Sequence, residues 1–558
     1  LEHAASYVHG VSSTPLLGET VGALLDRITA RWPDRPALVV RQQSVRWTYQ
    51  QFHAEVERVA AAMLALGLVP GDRVGIWAPN RAEWVVAQFA APKAGLILVN
   101  INPAYRSHEL TYSMNKVGCR ALILPRAFKS SRYLDILLGI APELGAAPAG
   151  QLSCAALPDL RHVIVLDDAP QPGALRWNDL VADDAALAHL RDVEAMLSFD
   201  DPVNIQFTSG TTGAPKGATL THHNIVNNGF FIGEAMQLTE DDRLCIPVPF
   251  YHCFGMVLGN LACVTHGACM VIPGEGFDAL ATLQAVAEER CTGLHGVPTM
   301  FIAELEHPRF RDFDLSSLRT GIMAGSPCPI EVMRRVVRDM NMAGVTIAYG
   351  MTETSPVSFQ TTASDPLDKR VATVGRIHPH VEVKLVDEAG QIVPRGTQGE
   401  LLTRGYSVMR GYWGDEVNTR DAIDSGRWMH TGDLAVLDDE GYCTIVGRLK
   451  DMIIRGGENI SPREIEEFLY GHPDVQDVQV FGVPDARFGE QVCAWIRLRE
   501  GATATVAGIQ DYCRHQLAYF KVPHYVRFVD AFPMTVTGKV QKYLMREAMA
   551  KELGEKSP

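Results

Sequence analysis

Four hydroxyl side chains, three glycines and a lysine crowd into ten residues, Thr208-Ser209-Gly210-Thr211-Thr212-Gly213-Ala214-Pro215-Lys216-Gly217. Glycines and small hydroxyl residues let backbone N–H groups approach phosphate oxygens closely, and Lys216 adds a cation. The chemistry this suits is the holding of a nucleotide polyphosphate. It is not a Walker A loop, which needs a Ser or Thr after the lysine, whereas Gly217 follows Lys216 here. A P-loop kinase is therefore disfavoured.

The elements around this loop must hold it still. Val203-Asn204-Ile205-Gln206-Phe207 reads as a strand running into it. Upstream, short apolar runs alternate with helical patterns, the mark of an α/β fold. Thr48 with Gln51 forms a capping box opening a helix to about Leu66. Arg73 to Trp77 and Leu96 to Val99 read as strands, and Asn80 as the cap of a helix from Arg81 to about Phe89. Residues 142–158 read as an exposed Ala/Pro/Gly loop. Near residue 450 the texture changes. Asp451 to Ile454 reads as a strand, Gly456-Gly457 as a turn, and Ser461-Pro462 with Glu464 as a capping box. Strands follow at 478–483, 492–498 and 525–529, with helices at 505–518 and 541–553, enough for a separate α+β domain.

Composition bounds the rest. The 558 residues suggest roughly three to four structural units. Lys and Arg number 51 against 65 Asp and Glu, a net charge of −14, which disfavours non-specific nucleic-acid binding. No run of about 18 apolar residues exists, and the nearest approach, Met256 to Ile272, is broken by Asn260, Thr265 and His266. No signal-peptide pattern opens the chain. Eleven cysteines with no C-x-x-C pair read as reduced, buried thiols in a cytoplasmic setting. His222-His223 and His378 with His380 lack zinc-motif spacing.

The glycine-rich loop resembles the phosphate loop of the adenylate-forming superfamily, which spans acyl-CoA synthetases, luciferases and peptide-synthetase adenylation domains. The likeness continues through Tyr349-Gly350-Met351-Thr352-Glu353, Thr431-Gly432-Asp433, Gly447-Arg448-Leu449-Lys450-Asp451 and Thr537-Gly538-Lys539, in the family's order. It covers nearly the whole chain. Tyr251-His252-Cys253, Ala324-Gly325-Ser326-Pro327 and residues 454–460 look closest to medium-chain acyl-CoA synthetases. The resemblance implies a large N-terminal region, 1–449, of αβαβα-type sheets plus a β-barrel-like subdomain, and a small mobile α+β domain, 450–558. It implies ATP, Mg²⁺ and coenzyme A as the small molecules bound, with no nucleic acid and no transmembrane segment. A homodimer is compatible with it.

The resemblance also implies roles. A carboxylate attacks the ATP α-phosphate to give acyl-AMP and pyrophosphate, and a CoA thiol then displaces AMP. Glu353, with Thr208, would hold Mg²⁺ through hard oxygen ligands. Thr352 would bond the α-phosphate. Tyr349 would pack on the adenine, Gly325, Ser326 and Pro327 would give a close backbone wall beside it, and Gly350 and Met351 would also belong to the ATP/AMP site. Asp433 would accept both ribose hydroxyls, with Arg448 at the same sugar. Lys539 would bridge carboxylate and α-phosphate, Lys450 would be the hinge, and Gly456, Gly457 and Arg455 would meet coenzyme A. Phe250, His252, Cys253, Phe254, Gly255 and Val297 would line the acyl pocket, with His252 beside the substrate carboxylate. Residues 247–255 contain no Asp or Glu, which disfavours an amino-acid substrate. Gly255, Met256, Gly259 and Val297 suggest a roomy apolar cavity, favouring medium-chain fatty acids over aryl acids. Loading of a carrier protein, light-emitting oxidation and non-catalytic lipid binding remain as alternatives.

Overall fold

The computed structural model describes residues 4–208, 215–455, 458–485, 487–514, 517, 519–535 and 538–555, with backbone alone at 450, 458, 459 and 555. Ser209, Gly210, Thr211, Thr212, Gly213, Gly456, Gly457 and Thr537 lie outside the described residues.

Two large sheets dominate. In the first, Pro202–Thr208, Ile97–Asn100, Arg73–Ile76, Cys119–Leu124, His162–Val165 and Leu175–Arg176 lie side by side in parallel. Lys216–Thr221 and Gly411–Tyr412 extend its edge antiparallel. The second runs parallel from Gly344–Gly350 through Thr320–Met323, Gly293–Gly296, Arg243–Cys245 and Cys269–Ile272 to Pro36–Val40. Helices Val21–Arg31, Tyr49–Ala65, Ala82–Lys93 and His222–Met236 share one apolar core with strands of both sheets. Ala82–Lys93 is buried on every side apart from Glu83, as a helix layered between other elements must be. A third, five-stranded antiparallel sheet contains Met429–Leu437 and Cys443–Arg448. Downstream of it, Ile453–Arg455, Glu458–Ile460, Val475–Asp485, Gly489–Leu498 and Tyr525–Phe528 form a sheet of their own, with helices Pro462–Tyr470, Val506–Arg514 and Lys542–Glu555. Ile453, Ile465, Val480 and Ile496 give that unit its own core. No described helix is long and apolar enough to cross a membrane.

Several local expectations hold and some fail for a physical reason. The Thr48 capping box is present, and its helix spans Tyr49–Ala65. Asn80 does not cap its helix. Its amide donates to the Val248 carbonyl at 2.9 Å and accepts from the Phe250 N–H at 2.8 Å, and Arg81 takes the cap position. Ser461 precedes its helix, but its hydroxyl donates to the Val446 carbonyl at 2.6 Å, and Glu464 pairs with Lys521. In each case a tertiary partner outcompetes the local one. Residues 142–158 are not a free loop, because Leu144, Leu152, Cys154 and Leu157 are buried against the first sheet's outer core.

Met256 to Ile272 is interior. It comprises a π-helix, Phe254–Leu261, a short helix, Ala262–His266, and the strand Cys269–Ile272. The wide turns of a π-helix free carbonyls from the usual ladder. Gln88 donates to the Met256 carbonyl and His295 Nε2 to the Leu258 carbonyl, both at 2.9 Å.

Candidate active site

The site gathers at the carboxyl ends of the parallel strands, where open α/β sheets place ligands. Thr208 ends its strand, and Lys216 faces it in register across the hairpin. Val297 follows Gly293–Gly296, Gly325 follows Thr320–Met323, and Met351 follows Gly344–Gly350. The third sheet brings Asp433 and Arg448 opposite each other in register.

Three corners result. In the first, Glu353 sits on the 3₁₀ turn Thr352–Thr354 and is 6% exposed. Its Oε1 accepts from the Tyr412 hydroxyl at 2.9 Å and the Thr208 hydroxyl at 3.4 Å. Burial, then Glu353, pushes the Tyr412 phenol far up, so it stays a donor. Lys216 Nζ lies 5.2 Å from the centre of the Tyr412 ring. A buried carboxylate whose hydrogen-bond partners among the described residues are neutral hydroxyls is an oxygen donor set, and it fits a hard divalent cation.

The second corner holds Asp433. The Tyr349 hydroxyl donates to Asp433 Oδ2 at 2.6 Å, and Arg448 Nε lies 3.3 Å from Oδ1. Tyr349 thus touches Asp433 itself, a contact beyond the adenine-packing role the resemblance implies. Burial and the Asp433 charge hold its phenol well above the usual range. Gly350 is required because a Cβ there would fall 1.7 Å from the Pro356 carbonyl oxygen.

The third corner is a small cavity lined by Val248, Pro249, His252, Phe254, Val297, Gly325 and Lys539. His252 Nδ1 accepts the Phe254 N–H at 3.2 Å, so the neutral ring carries its proton on Nε2. Burial, aided by the Lys539 charge, pushes its pKa down to about 3. His252 is therefore neutral at every pH above that value. The acid-dependent rate has no limb near 6.5 that disappears in His252→Asn; such a limb would show that the ring titrates during turnover.

Lys539 arrives from the far end of the chain, its N–H bonded to the Thr535 hydroxyl at 3.1 Å. Gly538 has φ +79°, so the backbone favours glycine, and a Cβ there would lie 3.0 Å from Val297. A Cβ on Gly325 would lie 3.9 Å from Lys539 Cε. Burial first, and then Arg448, lowers the ammonium's pKa, while Cys253, Glu353 and Asp433 pull the other way. The ammonium thus feels the Glu353 corner and the Asp433 corner together.

Not every expected pocket residue lines the cavity. Phe250 turns inward, its ring 5.5 Å from Trp84, because Asn80 pins its N–H. Cys253 also turns inward and donates to Gln206 Oε1 at 3.0 Å; burial pushes its thiol up to about 12. Gly255 and Gly259 do not open space. A Cβ at either would meet the Pro249 carbonyl oxygen at 2.5 Å or Ile246 at 2.9 Å, so these glycines serve close packing. These two glycines therefore do not widen the cavity. Arg455 is held on its own sheet, with Nε donating to Gln491 at 2.7 Å and the guanidinium stacked 4.6 Å from the Phe488 ring.

Sequence reasoning missed Tyr412 and a buried amide chain. Gln206 donates to Asn204, and Asn204 to Asn100, each at 2.9 Å; Asn100 then donates to the Tyr251 carbonyl at 3.0 Å. This chain ties the phosphate-loop strand to the His252 segment. A signal for it existed: Asn204, Gln206 and Thr208 alternate along an otherwise apolar strand and so share one face.

Two family models match the chain: AMP-binding enzyme over residues 25–413, and AMP-binding enzyme C-terminal domain over residues 464–539. The mitochondrial medium-chain acyl-CoA ligase ACSF2 of Danio rerio is 49% identical over 98% of this chain and 91% of its own length. The putative acyl-CoA synthetase YngI of Bacillus subtilis (strain 168) is 51% identical over 95% of this chain and 97% of its own. The crystal structure of the anthranilate CoA ligase AuaEII with anthranoyl-AMP superposes with a TM-score of 0.84 at 27% identity, covering 97% of this chain and 99% of that one.

Proposed function

This chain belongs to the AMP-binding enzyme family of AMP-forming acid–thiol ligases, and we propose that its acid is a medium-chain fatty acid and its thiol that of coenzyme A. The observation that carries this reading is the convergence of Lys539, His252 and an apolar wall of Val248, Phe254 and Val297 on one cavity, flanked by the Glu353 and Asp433 corners. Nearly half-identical relatives named as medium-chain ligases support the chain length.

The residues divide the work. Asp433 and Arg448 fix the ribose, and the phosphate loop with Lys216 holds the polyphosphate. Glu353 and Thr208 would hold Mg²⁺, which supplies neutralisation of phosphate charge. Neutral His252 offers its Nε2–H to one oxygen of the fatty carboxylate. Lys539 places its ammonium between that carboxylate and the α-phosphate, relieving their repulsion as the C–O–P bond forms and pyrophosphate leaves. Positioning in a site shielded from water does most of the rest. No protein thiol is needed as nucleophile, and Cys253 is held protonated by burial. We place the division between the working parts at 449/450, with Lys450 as hinge and Gly456, Gly457 and Arg455 facing coenzyme A after rotation. Eleven unpaired, buried cysteines fit a cytoplasmic setting.

The test is pyrophosphate release with straight-chain acids from butanoate to hexadecanoate and with benzoate, each with and without CoA. The expected profile peaks at medium chain length and yields acyl-CoA. A peak at benzoate would favour an aryl-acid ligase. Release without thioester product would favour carrier-protein loading.

A further inference from the structure

One short helix touches the C-terminal unit at both ends. At the start of Pro298–Leu305, the Thr299 hydroxyl lies 3.5 Å from the Gly538 carbonyl, in the turn that presents Lys539. At its other end, the C-cap residue Glu306 uses a single oxygen, Oε1, to accept from Arg335 Nη1 at 2.7 Å and Arg499 Nη1 at 2.9 Å. Arg335 belongs to the neighbouring helix Ile330–Asp339, and Arg499 to the C-terminal unit. Arg499 is anchored at home: its Nε donates to the Pro473 carbonyl at 3.1 Å and its N–H to the Asp474 carbonyl at 2.9 Å. A second tie crosses nearby, where Glu467 of the C-terminal unit accepts the Ile330 N–H at 3.1 Å, a carboxylate at a helix N-terminus.

We propose that Glu306 and Arg499 form a latch that selects the conformation in which Lys539 is seated, making both of them positioning residues that act through Lys539. The inference rests on the reading of Lys539 as the adenylation lysine. The helix between Thr299 and Glu306 is rigid over about 10 Å. Holding Arg499 at one end therefore registers the Lys539 turn at the other. Rotation about residue 450 that withdraws Lys539 must separate Arg499 from Glu306, while Arg335 stays paired and keeps the carboxylate in place. The pair is partly exposed, with side chains 33% and 30% accessible, so its effect is modest and salt-sensitive. A modest latch suits a domain that must release on every turnover.

The experiment uses the full chain and two readouts. All native cysteines are buried, so single cysteines introduced at the exposed Val181 and Tyr519 take spin labels selectively, and their separation reports docking without turnover. Arg499→Gln and Glu306→Gln lower the docked fraction relative to the open one roughly twofold to fivefold. Arg499→Lys restores it, and Arg338→Gln, on the same surface but ion-paired among the described residues with its neighbour Asp339, leaves it unchanged. In parallel, pyrophosphate–ATP exchange falls by a similar factor in Arg499→Gln, while thioester formation from supplied acyl-AMP does not fall. An unchanged distance distribution in both Gln variants overturns the latch, as does equal loss in both half-reactions. A shifted distribution in a protein lacking exchange activity would sustain the latch and sink the ligase reading.

Discussion

Lys539→Ala lowers acyl-adenylate formation by roughly 10²–10³-fold, while thioester formation from supplied acyl-AMP stays within a few-fold of wild type. The expectation follows from where the ammonium lies. It borders the cavity that holds His252, and its charge is felt by Glu353, Asp433 and Cys253. A cation so placed matters when a carboxylate and a phosphate must meet, and much less when a thiol attacks an acyl carbon. Equal loss in both half-reactions would refute the assignment. A pH signature accompanies it. Burial and Arg448 lower the Lys539 pKa below its ordinary 10.5. The working cation is present below that lowered value and lost above it, so adenylation has an alkaline limb starting earlier than a solvated lysine would give. Lys539→Arg retains a cation at all accessible pH. It abolishes the limb whatever it does to the maximum rate; a limb that persists would belong to another group.

Glu353→Gln is the second large effect, lowering kcat/KM for ATP by roughly 10²-fold. The substitution keeps the shape and an acceptor oxygen for Tyr412 and Thr208. What it removes is the negative charge of a carboxylate that, among the described residues, accepts from neutral hydroxyls. The loss should therefore be partly recovered by excess Mg²⁺, with the activation curve displaced to higher concentration. Glu353→Asp, charged but one methylene short, should fall between. A Mg²⁺ curve that does not move in Glu353→Gln would show that the carboxylate acts on the turn around Pro356 rather than on a cation.

Much of the site was legible because its motifs are local. Thr535 and Lys539 are joined by hydrogen bonds of their own, the Thr535 N–H to the Lys539 carbonyl at 2.8 Å among them. Residue identity there implies shape, and the shape presents one lysine. Phe250 and Cys253 were misjudged for the opposite reason. They stand in the right segment, but which face each side chain turns to depends on Asn80, Trp84 and Gln206 far away in sequence. Buried polar atoms must be satisfied, and the search for partners rotates the segment about its backbone. Gly255 and Gly259 misled in the same way, since a missing side chain signals either open space or a close neighbour, and only the neighbours Pro249 and Ile246 decide between them.

By itself the sequence determined the chemical inventory from which the site is proposed: a glycine-rich loop with its lysine, a hydroxyl and a carboxylate suited to a hard cation, the carboxylate of Asp433, a lysine near the end of the chain and an apolar segment without an acid. Those are properties of residue type and short spacing, fixed by local backbone preferences. The tertiary structure decided the distances. Thr208 meets Glu353 across 145 residues and Tyr349 meets Asp433 across 84. Glu306 meets Arg499 across 193. Such pairings depend on two sheets sharing a helix layer and on a C-terminal unit docking against them. The energy that selects them comes from burying apolar surface and satisfying polar groups over the whole molecule, which no short stretch of sequence contains.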